Sequence, residues 1–328
     1  PYNSVIKVNR YKFRKEGGFF MRSMPREKAA VKKRMPEGKK FFLASIPFLI
    51  LVFAFAYVPL AGWAYAFFDY HPGKTLLECD FVGLDVFVKI WNNRSELFRV
   101  MRNTLVMSGI CIATMPLAVI FAIMLNEVKS TRFRKLVQTT TTLPNFISWI
   151  VVFTLAFAMF STDGMVSGLL KALGMDGNIN LLGDNDHAWI FQWGLATWKS
   201  LGWNSIIYIA SIAGIDSELY DAAHVDGANR MQTIRHIIIP GLYTTFFVQL
   251  LLAISNMLSN GFEQYFVFYN PLTADKIEVL DYYVYKIGVL TNDYPQSIAL
   301  GMGKTVISVI LLFSANWLSK KVRGESIV

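Results

Sequence analysis

The sequence predicts an all-α, polytopic membrane protein, and three observations carry that prediction. Of 328 residues, 54% are hydrophobic and only 17% charged, too oily a mixture for two soluble domains. The mean hydropathy is +0.38 and there are 26 Phe, more apolar surface than a soluble basic domain could hide, so a net charge of +9 does not mark a nucleic-acid binder. Six stretches approach the roughly 20 apolar residues that a helix needs to cross about 30 Å of hydrocarbon.

The first span, residues 41–68, is long enough to tilt and contains Pro59, which invites a kink. The second covers 103–125, the third 140–160 and the fourth 189–215. Residues 241–261 and 297–318 complete the six transmembrane helices. They form one membrane domain, 41–318, preceded by a basic leader, 1–40, and followed by a short tail, 319–328.

Orientation follows from Lys and Arg, which cytoplasmic loops retain. The leader, the loop 129–135, the loop with Arg230 and Arg235, and the tail hold 22 of them against 9 acids. The alternate segments, 69–102, 161–188 and 262–296, hold 8 against 14 acids. Both termini are therefore expected in the cytoplasm. The leader lacks a cleavage site and reads as topology-setting charge, with tethering to an anionic leaflet as the alternative.

Several chemistries drop out. His71, His187, His224 and His236 show no metal-ligand spacing, so no metal site is expected. The string Gly303-Lys304-Thr305 imitates the end of a nucleotide-binding loop, but Ile298 stands where that loop needs Gly, and the string lies in an apolar span. Lys304 is close enough to the outer end to snorkel. Cys79 falls in an outer loop and Cys111 within a span, so no disulfide is expected.

The cytoplasmic stretch 216–240 is the informative one. Asp216 is a good N-cap and Gly227 a good left-handed terminator, bracketing a helix of about ten residues. A second helical stretch is expected to follow and to stop near Pro240. In the first helix Leu219, Ala222, Ala223 and Asp226 share a face, whose small residues let another protein approach closely. Asp221-Ala222-Ala223, three residues, Gly227, nine residues, then Ile237-x-Ile239-Pro240 resembles the EAA loop of permease subunits of binding-protein-dependent ABC importers. Asp221 stands for the family's Glu and Ile239 for its Leu. The segments Pro59 to Trp63, Leu143 to Trp149 and Trp198 to Asn204 resemble one branch, the oligosaccharide permeases of the LplB, alginate and rhamnogalacturonan type.

That resemblance implies a non-catalytic subunit of a bacterial cell-membrane importer. It implies a second, related permease chain, two ATPase subunits that hold ATP and Mg, and an external sugar-binding protein. The loop would dock into an ATPase groove as a coupling helix, with Asp221 a polar anchor, Ala222 and Ala223 the packing surface, Gly227 the turn, and Ile237, Ile239 and Pro240 completing the motif.

Polar groups in spans are costly and face partners or a water-filled path. Gln249, Asn256 and Asn260 are spaced to share one helical face, which suits either a sugar path or hydrogen bonds to a neighbouring helix. Lys199 sits deep in the fourth span between Trp198 and Trp203. It suits an acidic, uronate-containing sugar stacked on indole, or a structural partner on another chain. A stand-alone secondary transporter or channel is the alternative function, but it wants ionisable relays or internal repeats, and neither is evident. An enzyme wants convergent catalytic groups, which are also missing.

Overall fold

The computed structural model describes residues 37–175 and 180–323, and the regular structure among them is helical, with one isolated antiparallel bridge between Phe68 and Phe81. The leader up to residue 36 and the tail beyond 323 lie outside the described residues. The described residues divide into two units, which meet in sequence between residues 56 and 57.

In the first unit, α1 spans Glu37–Val52. A π turn, Phe53–Tyr57, follows it, and the second unit then opens with a 3-10 helix, Val58–Phe67, that has Pro59 at its start. Proline has no N–H and its ring meets the carbonyl four residues back, so the α ladder gives way just ahead of Pro59.

Further along come α2 (Asp85–Asn92), α3 (Arg94–Ala113) and α4 (Pro116–Glu127). Pro116 interrupts the ladder between α3 and α4, which together make one apolar stretch, Arg94–Asn126, starting earlier than the sequence suggested. The expected span 140–160 is divided. Helix α5 (Thr131–Thr142) runs into a 3-10 turn, Leu143–Phe146, at Pro144, and α6 (Trp149–Phe160) starts afresh from Ser148, whose hydroxyl accepts the Val151 N–H at 3.5 Å. With α7 (Met165–Ala172), α6 makes the span-length stretch Trp149–Ala172.

Helix α8 (Ala188–Ala213) is followed by α9 (Ser217–Val225), α10 (Arg230–Thr233) and α11 (Ile239–Ser255). The second helical stretch does not stop near Pro240. A π turn, Ile234–Ile238, joins α10 to α11, with the Ile239 N–H reaching the Ile234 carbonyl, and a single stretch runs Arg230–Ser255. The wide turn absorbs the hydrogen bond that Pro240 cannot make.

The chain closes with α12 (Phe262–Phe268), α13 (Ala274–Ile277), α14 (Leu280–Tyr285) and α15 (Tyr294–Arg323). Among the described residues, five helical stretches are long and apolar enough to cross a membrane: Gly38–Phe67, Arg94–Asn126, Trp149–Ala172, Arg230–Ser255 and Tyr294–Lys321. Helix α8 is not one of them, although its 26 residues extend about 39 Å at roughly 1.5 Å each. Gln192, Lys199, Ser200, Asn204 and Ser205 dilute its hydropathy.

Residues 262–296 are more than a loop. Tyr265, Leu280, Tyr282 and Tyr283 are buried in clusters shared with Val100, Met107 and Ala188 of α3 and α8. Glu278, wholly buried, takes the Arg99 guanidinium at 2.6 Å and the Lys286 ammonium at 2.8 Å. The Asn103 amide donates to the Asp275 and Glu278 carbonyls at 2.7 and 3.1 Å, and the Thr104 hydroxyl accepts the Leu280 N–H at 2.8 Å. Buried charges survive when paired and hydrogen-bonded, and these bonds let a polar segment pack among apolar helices.

Candidate functional site

Two sites emerge, and α8 and α11 contribute to both. The first is the loop between them. The Asp216 carboxylate accepts the Glu218 N–H at 3.0 Å and starts α9. At the other end the Ala228 N–H reaches the Ala223 carbonyl at 2.9 Å across Gly227, whose φ of +73° is left-handed. Asn229 and Gln232 then cap α10 reciprocally, at 2.7 and 3.0 Å. Helix α9 is thus a short rod with both ends defined.

No residue of α9 is buried, and Asp221, Ala222 and Leu219 are exposed, with Ala223 partly covered. One residue ties the rod to the body. Tyr220 packs against the cluster in which Ala118 and Ala122 of α4 meet Tyr208 and Ile212 of α8, Ile238, and Leu242 of α11. Burial, and then the nearby Glu127 carboxylate, push the Tyr220 phenol above its usual range. Ile238 is almost wholly buried, between the part-covered Ile237 and Ile239 of the motif. Sequence reasoning passed over Tyr220 and Ile238, whose signal was an apolar side chain off the small-residue face.

The second site is a cavity of about 600 Å³ bordered by α3, α4, α8, α11 and α12. Gln249, Asn256, Asn260 and Trp203 all line it, joined by Ser108, Asn204, Ser259 and Gln264, which were not foreseen. Among the described residues its lining mixes amides, hydroxyls and aromatics with apolar residues such as Ile112, Leu117 and Leu252, and holds no Lys, Arg, Asp or Glu. The helical face carries only the first two amides, because α11 ends at Ser255 with Asn256 as its C-cap, whose N–H still reaches the Leu252 carbonyl, and Asn260 lies beyond it. They meet at the cavity because the chain turns there. Gln264 of α12 donates to the Gln192 side-chain and backbone oxygens of α8 at 2.8 and 2.9 Å, and both residues are buried.

Lys199 and Trp198 are not on that lining. The Lys199 ammonium donates to the Asn145 and Pro144 carbonyls at 2.7 and 3.3 Å and lies 5.5 Å from the Trp149 ring, while Trp198 and Trp203 are each about half exposed. Lys304 does not snorkel either, since its ammonium pairs with the Asp281 carboxylate.

Residues 114–324, which hold the loop and most of the cavity lining, match the family model for binding-protein-dependent transport system inner membrane components. The chain belongs to this family. It is therefore a multi-pass inner-membrane permease component of a binding-protein-dependent transport system. It is 34% identical over 295 residues to protein LplB of Bacillus subtilis (strain 168), covering 89% of this chain and 92% of LplB. It is 33% identical over 299 residues to the polygalacturonan/rhamnogalacturonan transport system permease protein YteP of the same organism, covering 90% and 92%. Among solved structures, it matches a chain of a bacterial alginate ABC transporter in complex with an alginate pentasaccharide-bound periplasmic protein. That match has a TM-score of 0.80 at 30% identity, over 89% of this chain and 97% of that one.

In this permease the exposed rod and the cavity share a wall. Tyr208 both borders the cavity and belongs to the cluster against which Tyr220 packs, so the rod and the cavity adjoin one packed cluster.

Proposed function

We propose that this permease is one of two transmembrane subunits of an ATP-driven importer that moves an oligosaccharide delivered by an external binding protein. Six spans, α8 included, put both termini in the cytoplasm. The second transmembrane subunit is a related chain that completes the path, and two separate ATPase subunits hold ATP and Mg. The single observation that carries this reading is α9: a rod capped at both ends, exposed along its length, and joined through Tyr220 to the helices that border the cavity.

Coupling follows from that geometry. Docked against an ATPase, Leu219, Ala222 and Ala223 are the contact face and Asp221 a polar anchor, while Gly227 lets the chain turn sharply into α10. Closure of the ATPase pair pushes the rod, and Tyr220 passes the displacement to α4, α8 and α11.

The sugar reading has two supports. Relatives and neighbours are named for polygalacturonan, rhamnogalacturonan and alginate. The cavity offers Gln249, Asn256 and Asn260 as donors and acceptors for hydroxyls and Trp203 as a face for a sugar ring. Lys199 commits its charge to the 144–145 carbonyls, so the carboxylate of an acidic sugar takes its cation from elsewhere in the assembly.

Copurification tests the proposal. An ATPase should accompany the chain, and its hydrolysis should rise with sugar-loaded receptor. Sugar uptake by this chain alone in ATP-free vesicles would overturn it.

A further inference from the structure

The turn that ends α11 is held by charges that no part of the sugar reading uses. Residues 256–261 leave the helix within an otherwise apolar region, and non-helical backbone there is tolerated where protein buries it or where it lines a cavity. This turn lines the cavity, and Leu258 within it is buried. Asn256, Ser259 and Asn260 line the cavity, while the Ser108 hydroxyl donates to the Met257 carbonyl at 2.6 Å. The Asn260 amide donates to the Ser108 oxygen at 2.8 Å, and its own carbonyl oxygen is buried without a partner.

The last link is Gly261, left-handed at φ +85°, whose N–H donates to one Asp281 oxygen at 3.1 Å. The other Asp281 oxygen takes the Lys304 ammonium. The two side chains are 15% and 22% exposed, on α14 and about 15 Å along α15 from its start. Burying a charge pair is costly, and a pair that served only packing could be replaced by apolar side chains of like size. This pair instead fixes one backbone amide, next to the cavity residue whose buried acceptor lacks a partner.

We propose that Asp281 and Lys304 are positioning residues: Asp281, oriented by Lys304, holds the Gly261 amide and thereby sets Asn260 and Ser259 against the sugar path. The inference rests on the reading of the cavity as that path.

The test compares two charge-free pairs in the assembled transporter with its receptor. Asp281→Asn/Lys304→Met leaves an oxygen to accept the Gly261 N–H, and Asp281→Leu/Lys304→Met leaves none. Uptake at saturating loaded receptor should fall about tenfold in the leucine pair and be rescued to within about threefold of the parent in the asparagine pair, a difference of one charge-free hydrogen bond and the turn it holds. Receptor-stimulated ATP hydrolysis and assembly should be alike in both. Adding Asn260→Ala should not lower the leucine pair further, whereas Gln249→Ala should.

Equal losses in the two pairs, or none in either, would overturn the inference. If the leucine pair fails to assemble, Asp281→Ala/Lys304→Met makes the same comparison under the same two outcomes. Single variants Gln249→Ala and Asn256→Ala separate the two readings. If neither lowers uptake, the sugar path itself is misplaced; if they lower it while the charge-free pairs behave alike, only the positioning role fails.

Discussion

The Lys199 ammonium donates to the Asn145 carbonyl oxygen at 2.7 Å, joining the middle of α8 to the 3-10 turn that follows α5. Carbonyls at the end of such a turn have no helical donor ahead of them, and a cation there also offsets the negative end of the turn. Lys199→Met keeps the stem and removes the donor. It should cost about 1–3 kcal/mol of stability and lower uptake of neutral and acidic oligosaccharides by the same factor. Side-by-side uptake of the two sugar classes checks this, and selective loss of acidic sugars would place the ammonium on the substrate instead.

Three residues along α8, Gly202 meets the end of α5. A Cβ on Gly202 would overlap the Thr141 carbonyl and its following peptide, backbone atoms that cannot swing aside. Small residues at crossings of membrane helices permit such approaches. Gly202→Ala should therefore part α8 from α5 and reduce the yield of assembled complex severalfold. Gly194→Ala on the same helix, where a Cβ meets nothing within 4 Å, is the matched control.

Glu278 invites a stability measurement. Gln at this position would leave Arg99 and Lys286 facing a neutral amide, and removing one partner of a buried pair costs about 3–5 kcal/mol. Because Arg99 and Lys286 are 28% and 36% exposed, water recovers part of that, and about 3 kcal/mol is expected. The thermal midpoint of the purified chain in detergent reads it out. Lys286→Met, which leaves the Arg99 contact in place, should shift it less.

Local rules made α9 legible: an Asx cap at Asp216, small residues at the helix spacing, and a glycine at the left-handed end each act over a few residues. The apolar runs gave the same membrane class for the same reason. What stayed hidden was tertiary. The unwinding after Ser255 has no proline to announce it and depends on Ser108 and Asp281, far away in sequence. Lys304 read as a snorkelling lysine because its partner Asp281 lies in a segment whose charges and short helices resemble a solvated loop. The Gln249, Asn256 and Asn260 stripe was found by a helical periodicity that the chain keeps only as far as Asn256, yet Asn260 also reaches the cavity because the turn carries it back.

Gly227 gives the sharpest test of coupling, because two substitutions separate conformation from contact. A Cβ there meets nothing of this chain within 4 Å, so it clashes with none of its own neighbours. The φ of +73° is the constraint: a β-branched residue pays about 1–2 kcal/mol or more in the left-handed region, whereas Asn visits it readily. Gly227→Val should release the Ala228 to Ala223 hydrogen bond, fray the end of α9 and remove the defined rod between ATPase and cavity. Receptor-stimulated ATP hydrolysis and uptake should then both collapse, while capture of sugar by the external receptor, which does not involve this loop, is untouched. Gly227→Asn, which adds a side chain of similar size without the branch at Cβ, should keep at least half of the uptake. If the valine variant couples normally, α9 is not the coupling element; if the asparagine variant fails as badly as the valine one, the face beyond Gly227 is a contact surface and the left-handed turn is not what matters.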